Sequence, residues 1–320
     1  MVLNEIIAVP LCGFGNRLKF LASISGIAKK LKIKNVKVLW RPSIDCNIAH
    51  EDVFKGIRSM TFITEDELPE KSTIMYYGYV HMNEILTTID EDLKVEQNIA
   101  KSTLLIEGGH ECKHPKTSML EFLKLKQKFY NSINWTTKVE KAIKEIYGDG
   151  EIPKIGVHYR HVNKETDEAD VKANELVNFS YNSPFNVFED LLRQFKQPFF
   201  FISNSFYHKK YIQDNVPKGV VVNIKDSNNR SSRDSMFLSV VEFVLLTRCE
   251  IIVGSYFSSF SDEASYFKYA MKLMPIAPNI IANKRDLEIF KTQYHSVLKP
   301  VNVDEYLLLH PNTNDLITYF

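Results

Sequence analysis

Four cysteines are spread over 320 residues, at Cys12, Cys46, Cys112 and Cys249, and no two of them stand in a C-x-x-C spacing. A structural zinc site and a disulfide framework are therefore not expected, and the thiols read as free groups of a reducing compartment. An excess of one charge is lacking too: 40 Lys and Arg against 39 Asp and Glu leave a formal net charge of +1. Such balance gives no overall field toward nucleic acid or a membrane surface. No apolar run reaches the roughly 18 residues needed to span a bilayer. The opening stretch MVLNEIIAVPLCGFGNRL has neither a long apolar core nor a cleavage site. The expectation is a soluble protein of the cytoplasm, with no nucleic-acid partner and no transmembrane segment. Repeats and low-complexity tracts are missing, as are G-x-x-x-x-G-K-[ST], G-x-S-x-G and H-E-x-x-H. No Asp-x-Asp lies in an apolar setting: Asp90 and Asp92 flank Glu91 in what reads as a helix start. His81, His110 and His114 lack metal-ligand spacing, so no metal is expected.

What the chain does contain is alternation. With 44% hydrophobic residues over 320 positions, it can build two α/β domains of about 100–200 residues each. Strand patterns occupy residues 5–9, 36–40, 74–80 and 103–106. Helical patterns occupy 18–31, 118–130 and 136–147, with Lys29 and Lys30 in the last turn of the first. Gly148 and Gly150 close the third. A more regular rhythm follows. Strands are expected at 154–159, 199–203, 220–224 and 251–254, and helices at 185–195, 206–215, 234–246 and 259–273. Polar stretches at 162–177 and 225–233 read as loops. This order predicts parallel sheets covered on both faces. The boundaries follow as an N-terminal α/β domain over 1–150, a C-terminal Rossmann-like domain over 151–285, and a tail over 286–320 that packs back across both. Two such domains face a cleft, and ligands of open α/β sheets bind beyond the carboxyl ends of the strands.

Five constellations could carry chemistry, four of them after such strands and one, Glu242, inside a helix. Gly13, Gly15, Asn16 and Arg17 stand between the first strand and the first helix, where free N–H groups favour an anion and glycine lets backbone approach it. A tight turn with a capping Asn explains the same residues without a ligand. His158 and Arg160 alternate along a strand and so share a face; a guanidinium fork beside an imidazole suits a diphosphate, or else the pair is an internally satisfied Arg and His. The acidic run 164–170 is either a solvated loop or the source of one carboxylate that deprotonates an acceptor hydroxyl. Glu242 is the lone charge in an otherwise apolar stretch, so it must be paired or bonded. It either accepts the side-by-side N1–H and N2–H of a guanine or forms a buried ion pair with Arg230, Arg233 or Arg248. Ser258 and Ser259, with Ser255 and Ser261 around them, make a second phosphate cradle or an ordinary helix cap.

The order of these motifs resembles the fucosyltransferase superfamily of GT-B fold. It is most similar to the α-1,6-fucosyltransferases that act on chitin-oligosaccharide nodulation factors or N-glycan cores, and more distantly to protein O-fucosyltransferases. GFGNRLKFLAS, IGVHYRHVNKE and VVEFVLLTRCEIIVGSYFSSFSDEAS carry the likeness, over about residues 11–40 and 154–263. The resemblance implies an inverting, metal-independent transfer from GDP-fucose to a glycan or oligosaccharide hydroxyl, with no cofactor. It implies that Arg160 and His158 hold the diphosphate, that His161 is the second basic residue after them, and that Ser258 and Ser259 meet phosphate. Glu242 stands where the family, usually with Asp, reads guanine. The catalytic base falls on Glu168 by one spacing and on Glu165 by a closer local alignment; Glu168 is preferred. The family's animal members carry an N-terminal anchor, so the resemblance implies a bacterial or viral-host setting. Another GDP- or UDP-sugar donor, or a silent nucleotide- or glycan-binding protein, remains open. A dehydrogenase does not fit, because Asn16 and Arg17 break G-x-G-x-x-G and no ribose-binding acid follows the second strand.

Overall fold

The computed structural model describes residues 3–70, 74–77, 103–114, 116–148, 150–161, 183–221, 231–255, 258–268 and 270–273. The candidate bases Glu165 and Glu168, the loop around Asp90 and Asp92, and the tail 286–320 lie outside these residues. The chain divides into two compact units, Met1–Ala142 with Arg230–Val240, and Ile143–Asn229 with Val241–Phe320.

The first unit runs β1 (Glu5–Pro10), α1 (Phe14–Lys30), β2 (Asn35–Leu39), α2 (His50–Val53), β3 (Phe54–Ile57), β4 (Thr61–Ile63), β5 (Ile74–Tyr77), β6 (Thr103–Gly108), α3 (Met119–Tyr130), β7 (Ile133–Trp135) and the first half of α4 (Thr137–Tyr147), which from Ile143 belongs to the other unit. Five of its strands form a sheet in the order β4-β2-β1-β6-β5, with every pair parallel. β1 is buried along its whole length, as a strand covered on both faces must be, and its apolar run is accordingly near-continuous. β3 and β7 pair antiparallel as a separate ribbon. Gly148 ends α4 with φ +64 and donates its N–H to Lys144 O, the left-handed stop for which glycine is suited.

The second unit runs β8 (Ile155–Tyr159), α5 (Phe185–Gln194), β9 (Phe199–Ser203), α6 (Phe206–Asn215), β10 (Gly219–Val221), α7 (Arg233–Leu246), β11 (Ile251–Gly254), α8 (Ser259–Ser265) and β12 (Met271–Leu273). The first half of α7 belongs to the other unit. The sheet order is β10-β9-β8-β11-β12, again parallel throughout. Its core is aromatic: Phe199, Phe200 and Phe201 on β9 and Phe243 on α7 are fully buried. Among the described residues, no helix is long and apolar enough to cross a membrane.

Two of the expected helices differ from the sequence expectation. α1 begins at Phe14, with Arg17 N–H already bonded to Gly13 O at 3.1 Å, so Gly15, Asn16 and Arg17 lie in its first turn rather than before it. The stretch 259–273 is not one helix: α8 stops at Ser265, and Met271–Leu273 extends the sheet beside β11. Pairing with an open strand edge outweighs helical propensity there.

Gly156, in the middle of β8, allows α7 to come down on the sheet. A Cβ at this position would lie 2.8 Å from Leu246 Cδ2, 3.0 Å from Cys249 Sγ and 3.1 Å from Phe200 Cε1. Gly156→Ala is therefore expected to lower unfolding free energy by about 1–3 kcal/mol through overpacking, read as a lower urea midpoint with an unchanged m-value.

Candidate functional site

The second sheet winds from β8 to β9 to β10 and then returns to place β11 on the other side of β8. The carboxyl ends of β8 and β11 therefore form a switch point, the position at which such sheets leave a crevice for ligands. Two of the sequence motifs meet here, the His158–Arg160 strand and the serines after β11. The ladders end with Gly254 opposite His158 on one side and Tyr159 opposite Ser203 on the other. Beyond that point one more backbone bond follows, and then side chains take over the pairing. Ser255 N–H donates to His158 O at 3.0 Å, and Arg160 N–H donates to Ser255 Oγ at 2.8 Å. On the opposite edge Asn204 makes two bonds to one residue: His161 N–H donates to Asn204 Oδ1 at 2.8 Å, and Asn204 Nδ2 donates to His161 O at 2.7 Å.

His158 lies deeper than the sequence suggests. It is 4% exposed; its ring packs 4.8 Å from that of Phe260, and Ser258 Oγ lies 3.5 Å from its Nδ1, at the outer limit of a hydrogen bond. Phe260 in turn meets Phe243 of α7 edge-on. Ser258 is the N-cap of α8, yet its hydroxyl caps no helix N–H. Ordinary capping therefore does not account for it. Ser259 and Arg160 are half-buried. Of the expected basic pair, Arg160 is the one that stands at the edge, and His158 backs Ser258.

His161 is half-buried, and burial lowers its pKa below the ordinary histidine value, so at neutral pH it is an uncharged imidazole rather than a second cation. Its ring lies 5.0 Å from that of His208, whose Nδ1 is 2.8 Å from Ser205 Oγ. Burial, with a smaller contribution from His161, pushes the His208 pKa down to about 4.

Glu242 is not an open acceptor. It is 3% exposed and its Oε1 accepts from Lys209 Nζ at 2.8 Å, with Lys209 itself 0% exposed. Burial raises the carboxyl pKa and the lysine opposes the rise. Of the two sequence readings this geometry is the buried ion pair, but with Lys209 of α6. Arg233 instead gives Nε and Nη2 to Asp52 Oδ2, at 2.8 and 2.6 Å. Removing one partner of such a pair costs about 3–5 kcal/mol because it strands the other charge.

In the first unit, the turn after β1 takes its left-handed residue at Cys12, φ 64, while Gly13 is extended. Close approach is supplied by Gly109, where a Cβ would fall 2.9 Å from Leu11 O. Asn16 is half-buried. Arg17 is turned inward, 1% exposed. It donates to Cys12 O at 2.8 Å, Arg41 O at 2.7 Å and Ser43 Oγ at 2.9 Å, and lies over the Trp40 ring. It ties β1 to the segment after β2 and does not offer its fork to a ligand. Among the described residues, no group of three or more His, Cys, Asp or Glu is arranged to hold a metal ion. Sequence reasoning missed Asn204 and Lys209. Asn204 could have been found by weighing the residue after every strand; Lys209 carries no local signal.

No family model matches the sequence, and no curated protein matches it. Solved structures do match. NodZ α-1,6-fucosyltransferase soaked with GDP-fucose aligns with a TM-score of 0.51 at 16% identity, over 85% of this chain and 94% of that one. The fucosyltransferase NodZ from Bradyrhizobium aligns at 0.52 and 15%, over 85% and 94%. POFUT1 in complex with GDP aligns at 0.53 and 13%, over 86% and 99%. The chain has a fucosyltransferase-type α/β fold.

The buried His208 has a testable acid signature. Above pH 6.5 it is neutral in both folded and unfolded chains and contributes nothing to pH dependence. Between pH 6.5 and 4 the unfolded chain takes up a proton that the folded one resists, so stability falls as pH falls, by up to about 3 kcal/mol. Thermal melts of the wild type and His208→Phe across that window should converge on acidification; parallel curves would show that His208 is not the source.

Proposed function

We propose that this protein is an inverting glycosyltransferase that transfers fucose from GDP-fucose to a hydroxyl of a glycan acceptor, using no metal ion. The observation that carries the reading is the edge between β8 and β11. There a half-buried Arg160 follows β8 with its N–H bonded to Ser255 Oγ, and the hydroxyl of Ser258, which its own helix does not use, lies against His158, in a fold shared with a NodZ structure soaked with GDP-fucose. In this reading the second unit binds the donor and the first supplies the acceptor side.

The acceptor hydroxyl gives its proton to a carboxylate of the acidic run, Glu168 in preference to Glu165. Its oxygen attacks the anomeric carbon opposite the diphosphate, the glycosidic bond to the diphosphate breaks, and configuration inverts. Negative charge grows on the leaving diphosphate. Arg160 meets that charge directly, and the Ser258 and Ser259 hydroxyls add donors, with His158 behind Ser258. Donors aimed at developing charge contribute about 3–4 kcal/mol each, which lets them take the part a divalent cation plays elsewhere.

One observation favours a second reading of the donor. Because Glu242 is buried and its Oε1 already accepts from Lys209, it is poorly placed for a two-point contact with guanine, and a different nucleotide-sugar fits the same diphosphate grip. A panel of GDP- and UDP-sugars, assayed for nucleotide release with and without glycan, separates the two readings. Release without any transfer would identify a hydrolase, and binding without release a silent carrier. With the preferred donor, Arg160→Ala is expected to lower turnover by about 100-fold or more, and EDTA to leave the rate unchanged. Near-normal turnover in that variant, or a rate abolished by EDTA, would count against the scheme.

A further inference from the structure

The last hydrogen bonds of β8 are made by side chains, and they converge on Arg160 and His161. A strand end normally frays, because the backbone groups beyond the ladder have no partner. Here the N–H of Arg160 is taken by Ser255 Oγ from the β11 side. Both backbone groups of His161 are taken by the Asn204 amide from the β9 side. Only a carboxamide offers one donor and one acceptor at this spacing: a serine has one arm, and an ionised Asp has no donor. Asn204 thus stands in for the residue that a longer β9 would have placed opposite His161. Its own backbone is fixed, since the next residue, Ser205, gives its N–H to Ser203 Oγ and receives the N–H of His208 at the start of α6.

We infer that Asn204 is a positioning residue for the nucleotide site: its two-point clamp holds the Arg160–His161 backbone in the ligand-ready arrangement before the diphosphate arrives. The inference rests on the nucleotide reading of this edge and goes beyond it by naming what preorganises the Arg160 fork. Pre-set geometry matters here because a donor aimed at developing charge is most effective when it need not reorganise. A residue with only a structural role would change global stability; a positioning residue changes the local backbone and the affinity together.

The experiment pairs hydrogen–deuterium exchange of the full chain with calorimetric titration of GDP, for wild type, Asn204→Ala and Asn204→Gln. In Asn204→Ala the His161 amide should exchange at least ~10-fold faster, while amides of β9 and β11 keep their protection. GDP affinity should fall at least ~10-fold. Asn204→Gln, which keeps both donor and acceptor on a longer stem, should recover affinity to within about threefold of wild type. Unchanged His161 exchange in Asn204→Ala overturns the clamp. Faster exchange with unchanged GDP affinity overturns the positioning role, as does a uniform loss of protection across β8, β9 and β11, which marks a residue needed only for folding. A wild type that binds neither GDP nor, in a parallel titration, UDP overturns the nucleotide reading, and the positioning role with it, whereas the His161 exchange rates report on the clamp independently of any ligand.

Discussion

β8 is hydrogen-bonded on both edges, to β9 along Ile155–Tyr159 and to β11 along Ile155–His158, and the organisation of the second unit follows from that double pairing. A central strand of this kind is buried on both faces and both edges, so only its carboxyl end can reach a ligand. Because the chain arrives at β9 and at β11 from opposite directions of winding, nothing in the sheet itself closes over that end. Arg160 and His161 are the first residues after β8, Ser255 is the first after β11, and Ser258 follows three positions on. The chemistry assigned to this edge is thus a consequence of where the sheet stops.

Desolvation decides what the other charged residues do. Arg17 and Glu242 both look like ligand contacts in the sequence, and both are nearly sealed from water. A buried charge must be met by the protein itself. Arg17 meets two backbone carbonyls, a serine hydroxyl and an indole face; Glu242 meets Lys209. The sequence poses the need for a partner without naming it: Lys209 lies 33 residues from Glu242, on a different helix. Burial also lowers the His161 pKa, so of the two basic residues that follow β8 it is Arg160 that carries the charge.

Much of the fold was legible because period and length were unambiguous. The bounds of β9, β11 and α6 coincide with the patterns at 199–203, 251–254 and 206–215. These are short apolar runs between clear turn signals, or a run with helical spacing closed by a cap. β3, β4 and β7 were not legible, being three or four residues long, too short for alternation to show. β12 was masked by a helical pattern, since its pairing is a tertiary choice. In the candidate site, the convergence of the His158–Arg160 strand with the Ser258 turn was readable from motif order. The depth of His158 and the clamp by Asn204 were not, because each depends on a residue about 40–100 positions away that only the folded sheet brings near.

A crystal structure of the protein with GDP tests the central claim most directly. The account predicts the terminal phosphate beyond the tips of β8 and β11, with oxygens about 3 Å from the Arg160 guanidinium and the Ser258 hydroxyl. A nucleotide bound elsewhere, or a bound diphosphate that leaves Arg160 untouched, would contradict it.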